Sequence, residues 1–237
     1  MIWHSQCFSA LRQFLNRIPS GVTSLNRKTR KLGGIRTYSQ ELSIDLTSPD
    51  GRFKWFLASV LFARRISSQI SVRTYRRFED ESLTSPKAIL SAGWDRLVKV
   101  LDSGGYVRYD FSTASNLLEI CSRILLKYGS LEVLHQKANS PRELETMLME
   151  FRGVGPVCVN IYLRELRGIW QKADPPVSDL ATQLGRKLGI RKVKDVESQL
   201  VRIQLEYCKK GKCLEFPVND LCNAQRMGRQ RSERAKG

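Results

Sequence analysis

Acidic residues are scarce in this 237-residue chain. Asp and Glu total 23 against 40 Lys and Arg, giving a formal net charge of +17, and the first acid is Glu41. An excess of that size fits a polyanionic partner better than a mere aid to solubility. No run of about 18 apolar residues is present, which excludes a bilayer-spanning helix and leaves nucleic acid as the polyanion. Histidine is almost absent: His4 and His135 stand far apart without metal-ligand spacing. An extracellular disulfide framework is also missing, because Cys7, Cys121 and Cys158 lie scattered in terminal or helix-like segments. Reduced thiols point to an intracellular setting, in cytoplasm, nucleoid or nucleus. Internal repeats and low-complexity blocks are absent too. What the chain does have is 41% hydrophobic residues, enough to build one large domain or two small lobes.

Before Glu41 come Arg12, Arg17, Arg27, Lys28, Arg30, Lys31 and Arg36. Residues 1–40 therefore read as a basic extension. A mitochondrial transit peptide, a DNA-contacting arm and an overextended start all fit it.

Beyond the extension the apolar residues recur at helical spacing. Phe53 to Phe78 reads as two helices with a turn at Ile66-Ser67-Ser68. Ser85-Pro86 opens a helix through Leu90, and Trp94 to Leu101 and Thr113 to Tyr128 follow around a Gly104-Gly105 turn. Ser130 to Gln136 continues the pattern. Ser140 to Phe151 opens on Ser140-Pro141 with Glu143 at the capping-box position. Val157 to Leu166, Leu180 to Leu188 with Gly189 as its stop, and Val193 to Tyr207 complete a chain that is nearly all helix.

The most informative stretch is Phe151-Arg152-Gly153-Val154-Gly155-Pro156, between two of these helices. A Gly-x-Gly turn presents bare backbone N–H groups at the start of the second helix, where they and the helix dipole can hold a phosphate. An ordinary helix C-cap is the competing role. Two glycines around a β-branched residue make a tighter device than a cap needs. Asp179, in Pro176-Val177-Ser178-Asp179-Leu180, follows one helix and one loop later, placed to act on the nucleotide so held.

This constellation resembles the helix-hairpin-helix glycosylase superfamily, with its endonuclease III, MutY-type and AlkA branches. The likeness runs from about Arg52 to Cys222. It rests on the hairpin from Leu148 to Asn160 and on the segment from Phe56 to Val72, similar to the helix and turn that face the lesion. It implies an all-α, two-lobed fold with the active site in the cleft between lobes. Residues 53–166 would form the lobe ending in the helix-hairpin-helix. Residues 41–52 and 167–237 would form the terminal lobe.

The resemblance further implies a DNA glycosylase of base excision repair, which flips a damaged base and cleaves its N-glycosidic bond. The expected partner is double-stranded DNA carrying a damaged or mismatched base, bound by a monomer. Cleavage builds positive charge on the sugar, so a nearby carboxylate stabilises the oxocarbenium-like state and orients water. Asp179 takes that role by likeness to the Pro-x-x-Asp-Leu stretch of the AlkA branch. Against the endonuclease III branch, Ser178 falls at the aspartate instead, and Asp179 would then cap the helix from Leu180. Bifunctional members carry a lysine where this chain has Val157, so a monofunctional enzyme without lyase activity is implied. The MutY-type glutamate corresponds to Ser59, which disfavours adenine removal. Alkylated purines are the first expectation, uracil or hypoxanthine the second. A non-catalytic DNA-binding protein with the same hairpin is the rival.

Arg152, Gly153, Val154, Gly155 and Val157 are the expected DNA contacts of the hairpin, and Arg64 and Arg65 occupy the family's plug region. Trp55, Trp94, Tyr75 and Tyr162 are available to stack on a flipped base, although aromatics at helical spacing are more often core. Cluster-bearing relatives space four cysteines Cys-x6-Cys-x2-Cys-x5-Cys. Here Cys208, Cys213 and Cys222 remain, with Phe216 in the third ligand's place. A cluster needs four thiolates, and no histidine lies nearby to complete a zinc site, so no metal and no iron–sulfur cluster is expected.

Overall fold

Prolines and serines set where the helices begin. The computed structural model describes residues 27–213, 215 and 218–222, and among these every regular element is helical. Cys7, His4 and Phe216 lie outside the described residues. Two short helices, α1 (Arg27–Gly33) and α2 (Tyr38–Glu41), lead into α3 (Pro49–Phe62), α4 (Ser68–Asp80), α5 (Pro86–Ser103) and α6 (Asp110–Arg123). Then come α7 (Leu131–Lys137), α8 (Pro141–Met149), α9 (Pro156–Glu165), α10 (Asp179–Leu188) and α11 (Glu197–Ile203). The Ser48, Ser85 and Ser140 hydroxyls each accept an amide of the first helical turn, with proline at the first helical position, where no N–H is needed. Glu143 accepts the Asn139 amide at 2.7 Å, one residue beyond the capping-box partner Ser140.

Two expected helices, from Ser85 and from Trp94, join into α5 across a kink at Gly93 (φ 71°). The helix expected to run to Tyr128 is α-helical only to Arg123 and widens into a π turn, Ile124–Tyr128, before Gly129. The helix expected to start at Leu180 starts at Asp179.

The buried residues form two hydrophobic cores. The larger is built from α2 to α9 and centres on Trp55, Phe56, Tyr106, Phe151 and Tyr162. The smaller gathers α10, α11 and the last described turn around Leu184, Leu188, Leu200 and Ile203. A fully buried side chain of this kind is worth roughly 2–3 kcal/mol, so each core is a substantial unit. The boundaries differ from those expected. Leu32, within the supposed extension, is fully buried in the smaller core. Leu42 and Ile44, assigned by sequence to the terminal lobe, are buried in the larger. Amphipathic turns this short carry too little periodicity to reveal which core they join. No helix among the described residues is long and apolar enough to cross a membrane.

Candidate functional site

The turn from Glu150 to Gly155 joins α8 to α9, and its two glycines meet different demands. Gly153 has φ +80°, and a Cβ there would stand 2.8 Å from Asn116 Cγ and 3.0 Å from Arg64 Nη2. Gly155 is extended (φ −108°, ψ −178°), and nothing lies within 4 Å of where its Cβ would stand. It is the N-cap of α9 without a side chain to cap it, and Pro156 fills the first helical position. Among the described residues the amides of Gly155, Val157 and Cys158 find no backbone partner. Unpaired amides, open space and a helix N-terminus together suit an oxyanion. Arg152, within the turn, is 69% exposed and lies 3.8 Å from Glu119. Val154, expected among the DNA contacts, faces inward. Its side chain is buried and its amide donates to the Phe151 carbonyl at 3.0 Å, so it anchors the turn to the core.

From the hairpin, α9 runs along a cleft of about 1100 Å³. Val157, 61% exposed, forms part of its wall together with Asn160. The facing walls come from the Arg64–Ser68 turn, from the loop Pro175–Ser178 and the start of α10, and from Glu206, Lys209 and Lys210. Arg64, Arg65, Val157, Ser178 and Asp179, separated by up to about half the chain, therefore share one cavity.

Of Ser178 and Asp179, it is Ser178 that caps the helix. Ser178 Oγ accepts the Ala181 amide at 3.4 Å and is the cap of α10. Asp179, the first helical residue, is not the cap. Its side chain is exposed at the cleft and has no hydrogen bond or ion pair among the described residues. A carboxylate at a helix N-terminus is favoured by the dipole and needs no internal partner.

The loop in front of Asp179 is held at nearly every residue. Asp174 pairs with Arg167 at 3.5 Å and Lys194 at 2.5 Å, which hold its carboxyl below the usual range, the Lys194 hydrogen bond foremost. Arg167 also donates to the Pro175 carbonyl at 2.7 Å, and Asn160 Nδ2 to the Pro176 carbonyl at 2.8 Å. Glu197, 2% exposed, accepts the Ser178 amide on Oε1 at 2.9 Å and the Arg167 guanidinium on Oε2 at 2.6 Å. Sequence reasoning missed Asn160, Arg167 and Glu197. The available signal was a carboxylate on the face of α11 that otherwise buries Leu200 and Val201.

On another wall, Glu206 accepts hydrogen bonds from Tyr38 at 2.8 Å, from Lys210 at 2.7 Å and from Ser68. Burial works to raise this carboxyl, but those donors outweigh it and hold it below its ordinary value. The Tyr38 phenol is pushed up, chiefly by burial, and so stays a neutral donor. Its ring lies 4.6 Å from that of Phe62. Among the described residues these two are the aromatic rings lining the cleft; neither was proposed for stacking, although Phe62 lies in the Phe56–Val72 segment expected to face the lesion. Of the aromatics proposed for stacking, Trp55, Tyr75 and Tyr162 are fully buried in the larger core. Trp94 is exposed, beside Phe111 at 5.3 Å, and is not among the cleft residues.

Arg64 is half-buried, its guanidinium 6.0 Å from the Tyr109 ring and its Nε buried without a partner. Arg65 is exposed beside it. Ser59 is fully buried, bonded to the Trp55 carbonyl at 2.7 Å, and does not reach the cleft. Lys172 is turned away as well, its ammonium donating to the His135 and Gln136 carbonyls at 3.1 and 3.3 Å. The Cys208 thiol is pushed up by burial and then by its neighbours Cys213 and Cys222. Among the described residues no group of three His, Cys, Asp or Glu is disposed to hold a metal ion. No protein-family model, curated protein or solved structure matches this chain.

Proposed function

We propose that this protein is a monofunctional DNA glycosylase of the two-lobed helix-hairpin-helix type, which removes a damaged base from duplex DNA. One observation carries the reading. A solvent-facing carboxylate without internal partners, at the helix start that follows a loop pinned from three sides, shares a cleft with the helix whose N-terminal amides are free.

In this reading the Gly153–Gly155 turn holds backbone phosphate, which positions the duplex without reading sequence. Arg64 or Arg65 fills the space left by the flipped nucleotide. Asp179 stabilises the developing oxocarbenium charge and orients the attacking water. Val157 leaves the cleft wall without an amine at the position where bifunctional relatives attack the sugar. The base departs and an abasic site remains. Alkylated purines are the first substrate class and deaminated bases the second.

The test is excision from duplexes each carrying a single 3-methyladenine, ethenoadenine, hypoxanthine or uracil, with alkali added afterwards to cleave abasic sites. Alkali-dependent strand breaks at one of these bases are expected. Tight duplex binding without release of any base would support the non-catalytic alternative.

A further inference from the structure

We infer that Glu197 is the positioning residue for the Asp179 carboxylate, acting through a buried clamp on residues 174–178; the inference rests on the glycosylase reading above. Pro175 and Pro176 have no N–H, so each offers the structure only a carbonyl. Both carbonyls are taken, one by Arg167 and one by Asn160. One residue past Val177, the Ser178 amide donates to Glu197. From Ser178 onward α10 continues the restraint, with the Thr182 amide on the Ser178 carbonyl at 3.0 Å. The backbone of Asp179 is therefore set from both sides while its side chain stays exposed to the cleft.

Glu197 ties these restraints together. One carboxylate oxygen faces Ser178 and, at 3.4 Å, Asn160; the other meets Arg167. Asn160 belongs to α9, the helix whose N-terminus forms the hairpin, and Glu197 belongs to α11 in the smaller core. The same carboxylate thus registers the hairpin helix against the helix that Asp179 begins. A carboxylate that must face one developing charge gains from such registration, because misplacement by about 1 Å costs on the order of 10²-fold in rate. A purely stabilising ion pair would need neither the Ser178 amide nor Asn160.

The test uses the full chain and two variants, Glu197→Gln and Glu197→Ala. The glutamine keeps the volume and an acceptor for Ser178 and loses the charge; the alanine also loses the acceptor and leaves Arg167 only Asp174 and the Pro175 carbonyl as partners. Two readouts are taken: hydrogen exchange at the Ser178 amide, and single-turnover excision on the duplex that the wild-type protein processes, with duplex Kd measured alongside. We expect Ser178 protection to fall strongly in Glu197→Ala and slightly in Glu197→Gln. Excision should fall about 10²-fold and less than tenfold respectively, at unchanged Kd. Wild-type excision rates in a Glu197→Ala protein whose Ser178 amide has lost protection would overturn the positioning role. Unchanged protection would overturn the clamp itself. A wild-type protein inert on every duplex would instead overturn the glycosylase reading, and the exchange data would still decide whether Glu197 anchors the loop.

Discussion

The carboxamide of Asn116 occupies the space beside Gly153 that any other residue's side chain would need, with Cγ 2.8 Å from the position of a Cβ. The hairpin is thus seated on α6 as well as on the larger core.

This seating separates the two hairpin glycines experimentally. Gly153→Ala combines a left-handed backbone with a collision and should destabilise by about 2 kcal/mol or more, read as a lowered Tm. Gly155→Ala meets open space and should cost under about 1 kcal/mol. If the amides there hold phosphate as proposed, the added methyl should nevertheless weaken binding to all duplexes alike. Loss of affinity confined to lesion-bearing duplex would show that the hairpin is not the grip.

Under the proposed mechanism the Asp179 charge acts on the transition state, so Asp179→Asn should lower excision by at least about 10²-fold while leaving duplex affinity intact or slightly higher. Ser178→Ala should keep most activity and lose about 1 kcal/mol of stability with the cap. The reverse pattern, an active Asp179→Asn protein and an inactive Ser178→Ala protein, would move the catalytic role to Ser178.

Borohydride added during turnover should trap no covalent protein–DNA adduct, because Val157 offers no amine and Lys172 is held at the His135 carbonyl. Val157→Lys places an amine on the cleft wall and should create a trappable adduct. An adduct with the wild-type chain would identify another lysine, Lys209 on the cleft being the first to substitute.

His135 gives the fold a pH dependence. Its ring stacks on Trp170 at 4.5 Å, and Nε2 faces the Lys172 amide at 3.5 Å, an arrangement that suits the neutral imidazole. Burial, then Lys172 and Arg52, push its pKa below the ordinary 6.5. The unfolded chain therefore binds the proton more readily, and stability rises with pH up to about 6.5 and falls as pH drops through that window. Thermal melts of wild type should show a steeper loss between pH 7 and pH 5 than those of His135→Phe. Equal slopes would show that His135 is not the titrating group.

Protein purified without oxygen should be colourless and hold no stoichiometric iron or zinc, since Cys208, Cys213 and Cys222 supply three thiols where a cluster needs four. A brown preparation with about four irons per chain would show a ligand from outside these three.

The helices were legible in the sequence because their causes are local. Ser140 with Pro141, Ser85 with Pro86, and Gly189 after Leu188 mark helix ends through bonds between near neighbours. The Gly153–Gly155 turn was legible for the same reason, as was the proximity of Asp179 to a helix start. The role of Ser178 as cap needed the actual backbone angles, which a one-residue shift in alignment leaves open. Other features have no local cause. Leu32 joins the smaller core while Leu42 joins the larger, and only the packing of distant helices decides between them. The clamp on Asp179 links Asn160 and Arg167 to Glu197 across 37 and 30 residues of chain, and Tyr38 meets Glu206 across 168. The sequence by itself determined an all-helical, strongly basic chain with a glycine hairpin and a carboxylate one helix and one loop beyond it. The tertiary structure alone decided which side chains line the cleft and which buried charges hold the carboxylate's loop. Buried polar groups find partners wherever packing brings them together, and chain separation leaves no trace of those partners in local pattern.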